Sequence, residues 1–151
     1  MAIKLVPKFT IAGVIADVSK RVSRLENVFV DRLQQIGEQF VTNARELHTY
    51  TDHTSNLRSS IGYIIYKDGK PYDENFKQAE GGTDGTAGIN QGKAVAGQVT
   101  VPKKGFCLVV VAGMNYALYV EAKNYDVITG SSFEAEKELK RSIELIKKNL
   151  K

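Results

Sequence analysis

The sequence predicts an α+β domain: a long N-terminal helix and a C-terminal helix packed on a mainly antiparallel β-sheet, with a long Gly-rich internal loop. Three observations carry this. Residues 14–47 have a helical apolar period. Residues 61–66 and 105–112 are short runs rich in β-branched or aromatic side chains. The helical period then returns near the C-terminus.

The first helix is the strongest element. Val14, Val18, Val22, Leu25, Phe29, Leu33, Ile36, Phe40, Ala44 and Leu47 recur at spacings of four, four and three residues. The mean step is about 3.67, near the helical 3.6. Asp17, Lys20, Arg21, Arg24, Asp31, Arg32, Glu38 and Arg45 form the opposite, polar face. An unbroken helix of this length spans roughly 50 Å. It is therefore expected either to bend near Gly37 or to pack in part against another subunit. Most of its stripe is expected on the domain's own sheet.

Residues 61–66 read as a strand, and Lys67-Asp68-Gly69-Lys70 as a turn. In residues 71–104, Gly81, Gly82, Gly85, Gly88, Gly92 and Gly97 interrupt a stretch poor in large apolar side chains. It is expected to be a mobile, partner-facing loop outside the core, with one short helix around residues 90–96. Replacing residues 73–99 by a short linker is then expected to cost little stability, and proteases to cut first near Lys77, Lys93 or Lys103. Residues 105–112 read as a central strand. Residues 115–122 fit either a strand or a short helix, and residues 125–128 a short edge strand. The last helix is expected from about Ser132, with Ser131 and Glu134 at capping-box spacing and Leu139, Ile143, Ile146 and Leu150 as its stripe. Its acidic start and basic end, at Lys147, Lys148 and Lys151, match the helix dipole.

The chain has 151 residues, 42% of them apolar and 25% charged, which fits one domain, residues 1–151, with a core of its own. No signal peptide and no membrane-spanning run is visible. The formal charge of +4 is a mild bias toward polyanions. One cysteine, Cys107, sits in an apolar run and reads as a buried, inert thiol.

Chemistry is sought and not found. His48, Asp52 and His53 do not have a metal-site spacing. Gly88 to Lys93 lacks the first glycine and the hydroxyl of a phosphate-binding loop. Ser59, Ser60 and Cys107 have no base tied to them by a known spacing. Tyr63, Tyr66 and Tyr72 with Lys67 and Lys70 read as hairpin packing rather than a stacking platform for nucleic acid. No catalytic, cofactor or metal site is expected.

Two motifs remain: Thr54-x-x-Leu57-Arg58-x-Ser60-Ile61 and Tyr116-Ala117-x-Tyr119-Val120-Glu121. With the long helix before them and the last helix after them, they resemble the tailed-phage neck and tail-completion family, the head–tail joining or minor capsid proteins. That family more often has Gly where Ser55 stands, and usually Gly where Ala122 follows the motif. The resemblance implies a non-enzymatic virion structural protein, part of the head–tail connector or tail-completion ring around the DNA channel. It implies self-association into a ring, contact with portal or adaptor and tail-tube proteins, non-specific contact with DNA in the channel, no membrane, and no cofactor. It places the chain at the head–tail junction of a virion, and in the host cytoplasm during assembly. Within the motifs, Leu57 and Ile61 are expected in the core, Arg58 and Glu121 either at the surface or paired with each other, and Tyr116, Tyr119 and Val120 mainly in the core. The other reading of the same residues is a small intracellular nucleic-acid-binding protein or an uncharacterised enzyme.

Overall fold

The computed structural model describes residues 8–47, 52–81 and 84–149. His48, Gly82, Leu150 and Lys151, on which parts of the sequence reading rest, lie outside the described residues. The chain divides into two units, Met1–Asp31 and Arg32–Lys151.

The order of elements is α1 (Ile11–Glu46), α2 (Asn56–Ser59), β1 (Ile61–Lys67), β2 (Lys70–Asn75), α3 (Thr86–Gly97), β3 (Phe106–Ala112), α4 (Ala117–Ala122) and α5 (Thr129–Asn149). The α+β class holds, with a three-stranded antiparallel sheet in the order β2-β1-β3. Strand β1 is therefore the central one. β3, expected at the centre, is an edge strand. Its apolar run reflects cover on both faces rather than a neighbour on both sides.

The β1–β2 hairpin turns at Asp68 and Gly69, with φ of 51° and 78°, between the paired Lys67 and Lys70. Positive φ at both central residues suits the right-handed strand twist, which is why Asp-Gly marks such turns. Pro71 lies on the edge strand, where a missing N–H is tolerated.

Period-two alternation in β1 sends side chains to both faces, and all six residues from Ile61 to Tyr66 are buried. On one face Ile61, Tyr63 and Ile65 cluster with Leu33, Phe40, Val41 and Ala44 of α1, with Leu139 of α5 packed alongside. Gly37 permits this approach: a Cβ there would come within 2.7 Å of the Tyr63 ring. The Tyr63 hydroxyl donates to Glu38 at 3.0 Å. Burial, with that carboxylate beside it, pushes the phenol's ionisation well above its ordinary range.

The other face is covered by the segment expected to be a loop. Ile64, Tyr66, Val109 and Val111 cluster with Ala96 of α3, with Phe76, Val95, Val101 and Cys107 packed against them. Residues 71–104 thus contain all but the first residue of strand β2 and a twelve-residue helix. The reading of this stretch as lying outside the core is corrected. Its small residues repeat at every fourth position, Gly88, Gly92 and Ala96, and all three are buried. Small side chains on one helix face let the backbone come close, so glycine here is a packing device rather than a loop signal. Cys107, expected buried, is half-buried, and desolvation raises its pKa.

Two further expectations change. Residues 125–128 form no strand. Helix α5 begins at Thr129, and Ser131 is a buried residue inside it rather than its cap. No helix among the described residues is long and apolar enough to cross a membrane.

Candidate interaction surfaces

The first motif builds a junction. Ser55 has φ of 61° and begins α2. Left-handed backbone favours glycine, the residue the resembled family more often has there. Thr54 is exposed, and its hydroxyl accepts from Asn56 N at 3.3 Å and Nδ2 at 3.1 Å. Leu57 and Ile61 are buried as expected. Ser59 Oγ accepts from Ala79 N at 2.9 Å. Ser60 Oγ donates to Leu57 O at 2.7 Å and accepts from Met114 N at 3.2 Å, while its carbonyl accepts from Gly113 N at 3.2 Å. Asn56 Oδ1 accepts from Gly88 N at 3.0 Å. One short segment thus ties together α3, the chain after β2 and the end of β3. Both serine hydroxyls are used in that role.

The second motif caps a helix. Glu121 accepts from Val127 N at 3.0 Å, Ile128 N at 2.8 Å, Thr129 N at 3.1 Å and Thr129 Oγ1 at 2.7 Å. These are orphan donors at the start of α5. Glu121 is therefore the helix cap, not the partner of Arg58. Arg58 donates its backbone N–H to Asp52 Oδ2 at 2.8 Å. Asp126 adds a second cap, accepting from Gly130 N at 3.1 Å.

Burial by itself would raise the pKa of Glu121. The donors from Ile128, Thr129 and Val127 outweigh it, and the net shift is downward. A carboxylate with a depressed folded-state pKa contributes stability above its unfolded pKa and loses it as pH falls through the folded one. Glu121→Gln is expected to destabilise the protein by about 1 kcal/mol near neutral pH. The gap to the parent should close below the ordinary carboxylate range. Urea unfolding of both proteins at about pH 7 and about pH 3 checks this; an unchanged gap would show that the carboxylate charge is irrelevant.

Ala117 is buried and Val120 half-buried, but Tyr116 and Tyr119 are exposed, correcting their expected place in the core. Leu118 (79% exposed) on α4, Tyr125 after it, and Phe133 (66% exposed) on the first turns of α5 are exposed as well. The Glu121 cap ties these elements together. Lys123 lies over the Tyr119 ring at 4.6 Å from its centre. Phe133 carries a signal in the sequence: it stands about 120° around α5 from the Leu139 stripe.

An apolar stripe lies on the first half of α1. Ile11, Val14, Ile15, Val18 and Val22 are all exposed, Val18 to 54%. They share one face at spacings of three and four residues. This is the same stripe that, further along the helix, packs on the sheet.

A groove of about 510 Å³ lies between α1 and α5, lined among others by Arg32, Phe40, Asn43, Glu134 and Arg141. Asn43 Nδ2 donates to Glu134 at 2.9 Å within it. Among the described residues no group of three His, Cys, Asp or Glu side chains could hold a metal ion. The chain was compared with family models, curated proteins and solved structures, and none of them matches it.

Proposed function

We propose that the chain is a non-enzymatic structural protein of a tailed phage or prophage, part of the head–tail connector, neck or tail-completion ring around the DNA channel. One observation carries the reading. Polar residues within both motif segments are spent on holding the fold, through Ser59, Ser60 and Glu121, while an apolar stripe on the first half of α1 and large apolar side chains on α4 and α5 are left exposed. Such patches mark protein interaction sites. The left-handed Ser55, at a position where the resembled family prefers glycine, gives further support. The partners in this reading are other copies of the chain, a portal or adaptor ring and the tail tube. The formal charge of +4 suits passing, sequence-independent contact with the DNA backbone.

Gel filtration with light scattering, followed by negative-stain imaging, tests this. The expected result is a closed ring with an open centre, formed alone or on portal-bearing heads. A protein that stays monomeric alone and binds neither portal-bearing heads nor isolated tails would overturn it.

A further inference from the structure

We propose that Lys70, Lys103 and Lys104, gathered with Lys67 at one end of the sheet, form a surface for the phosphate backbone of duplex DNA. The inference rests on the function proposed above for its choice of DNA, and names the surface that makes the contact.

The segments that carry these lysines are distant in sequence and adjacent in space. Lys67 ends β1, Lys70 begins β2, and residues 102–105 lead into β3. Lys67 pairs with both Lys70 and Phe106, so the three strands present this end together. Two hydrogen bonds lock the link to the turn. Asp68 N donates to Gly105 O and Gly105 N donates to Asp68 Oδ1, each at 2.8 Å. A Cβ at Gly69 would lie 3.5 Å from Lys103 Cα. The end of a three-stranded sheet is roughly 10 Å across, about one Debye length in 0.1 M salt, so the fields of these charges add.

The chain's basic excess is concentrated here. Residues 67–70 and 102–105 hold four lysines and one acid, Asp68. They carry +3 of the formal +4, and all other residues together carry +1. Asp68 spends a carboxylate oxygen on Gly105 N. Elsewhere Lys93 pairs with Glu74, Lys140 with Glu136 and Lys147 with Glu144. Lys70, Lys103 and Lys104 are exposed, and none of the three has an ion pair among the described residues. The hairpin also sets like charges directly opposite each other, at Lys67 and Lys70, an arrangement that costs stability. Folds break local rules mainly at functional sites.

The chemistry of the surface selects its occupant. Lysine is a point charge on a flexible stem, which binds phosphate without reading bases. Residues 67–70 and 102–105 include no large apolar side chain to enter a bilayer. Single strands are held by stacking on exposed aromatics. Tyr63 and Tyr66 of β1 are buried, which leaves the duplex backbone.

The test uses the full chain and a fluorescein-labelled duplex of about 30 base pairs, with anisotropy read from about 50 to 200 mM salt. Each lysine on a phosphate adds about 0.9 to the slope of log affinity against log salt. Lys103→Gln/Lys104→Gln is expected to lower that slope by about 1.8 per bound chain, and to weaken binding at least about tenfold at low salt. Lys70→Gln is expected to lower it by about 0.9, with Tm unchanged or raised because a like-charge pair is relieved. It also serves as the independent variant if the double variant melts early. Lys140→Gln/Lys147→Gln removes the same formal charge from α5 and is expected to leave the slope unchanged.

Equal losses in the two double variants would overturn the inference in favour of overall charge. A parent that does not bind the duplex below about 1 mM would overturn it too. So would tighter binding to phosphatidylserine vesicles or to polyglutamate than to the duplex. In each case the ring and portal-bearing-head assays decide the head–tail reading separately. A protein that binds DNA through these lysines but forms no ring and joins neither heads nor tails would keep the inference and sink that reading.

Discussion

Excision of residues 73–99, with a short Gly-Ser linker in their place, is expected to abolish the cooperative fold. The segment holds all of α3 and half of β2. Its removal uncovers Ile64, Tyr66, Val109 and Val111 on one face of the sheet. Side chains of this kind contribute about 1.5–3 kcal/mol each when buried. Losing four is comparable with the whole margin of a typical domain, about 5–15 kcal/mol. Loop-closure entropy changes slowly with length and cannot offset that. The expectation from composition alone, that this segment can be shortened at little cost, is reversed by its packing. The excised protein is expected to show no sigmoidal melt by circular dichroism and to expose apolar surface to a fluorescent dye. Retention of the parent's midpoint would show that α3 is dispensable. Trypsin is likewise expected to cut late at Lys93, inside α3, compared with exposed Lys103 and Lys104 in the link before β3.

Gly88→Ala is expected to destabilise the protein by about 1–3 kcal/mol, against the usual preference of a helix for alanine over glycine. A Cβ at Gly88 would collide with the Asn56 backbone carbonyl, which belongs to the Thr54–Ile61 motif. Gly92→Ala acts alike, since its Cβ would lie 2.5 Å from Ser60 O and 2.8 Å from the Phe76 ring. The obstacles are largely backbone and a packed ring, so the helix itself must move. Gly97, at the end of the same helix, has nothing within 4 Å of such an atom. Gly97→Ala is expected to be neutral or to stabilise by up to about 1 kcal/mol. At this chain length each kcal/mol corresponds to roughly 2–4 °C in Tm. Melting of the three variants beside the parent separates close packing from helix propensity. Equal effects at Gly88 and Gly97 would refute the packed interface.

Elements whose signals are local were legible in the chain's residues alone. The period of α1 located that helix and its buried face, because core and stripe share one repeat. Asp68-Gly69 determined the hairpin, because few residue pairs accept positive φ twice. The run from Ile61 to Tyr66 determined a strand. The sequence also marked Leu57 and Ile61 as core members of their motif, and Glu121 as a motif residue without its capping role.

The rest depends on contacts between distant segments. Glycines every fourth residue read as a loop until the backbone of Asn56 and Ser60 is seen against them; a missing side chain carries no apolar signal, and its value lies in what approaches it. The start of α5 was misplaced because its cap, Glu121, comes from a different element, and its oxygens meet donors that local spacing does not bring together. β3 became an edge strand because pairing order is set by which strands meet, while its composition records only that both faces are covered. The first half of α1 shows the same limit from the other side. Its stripe is written in the same code as the core, and periodicity records that an apolar face seeks cover, not which surface supplies it.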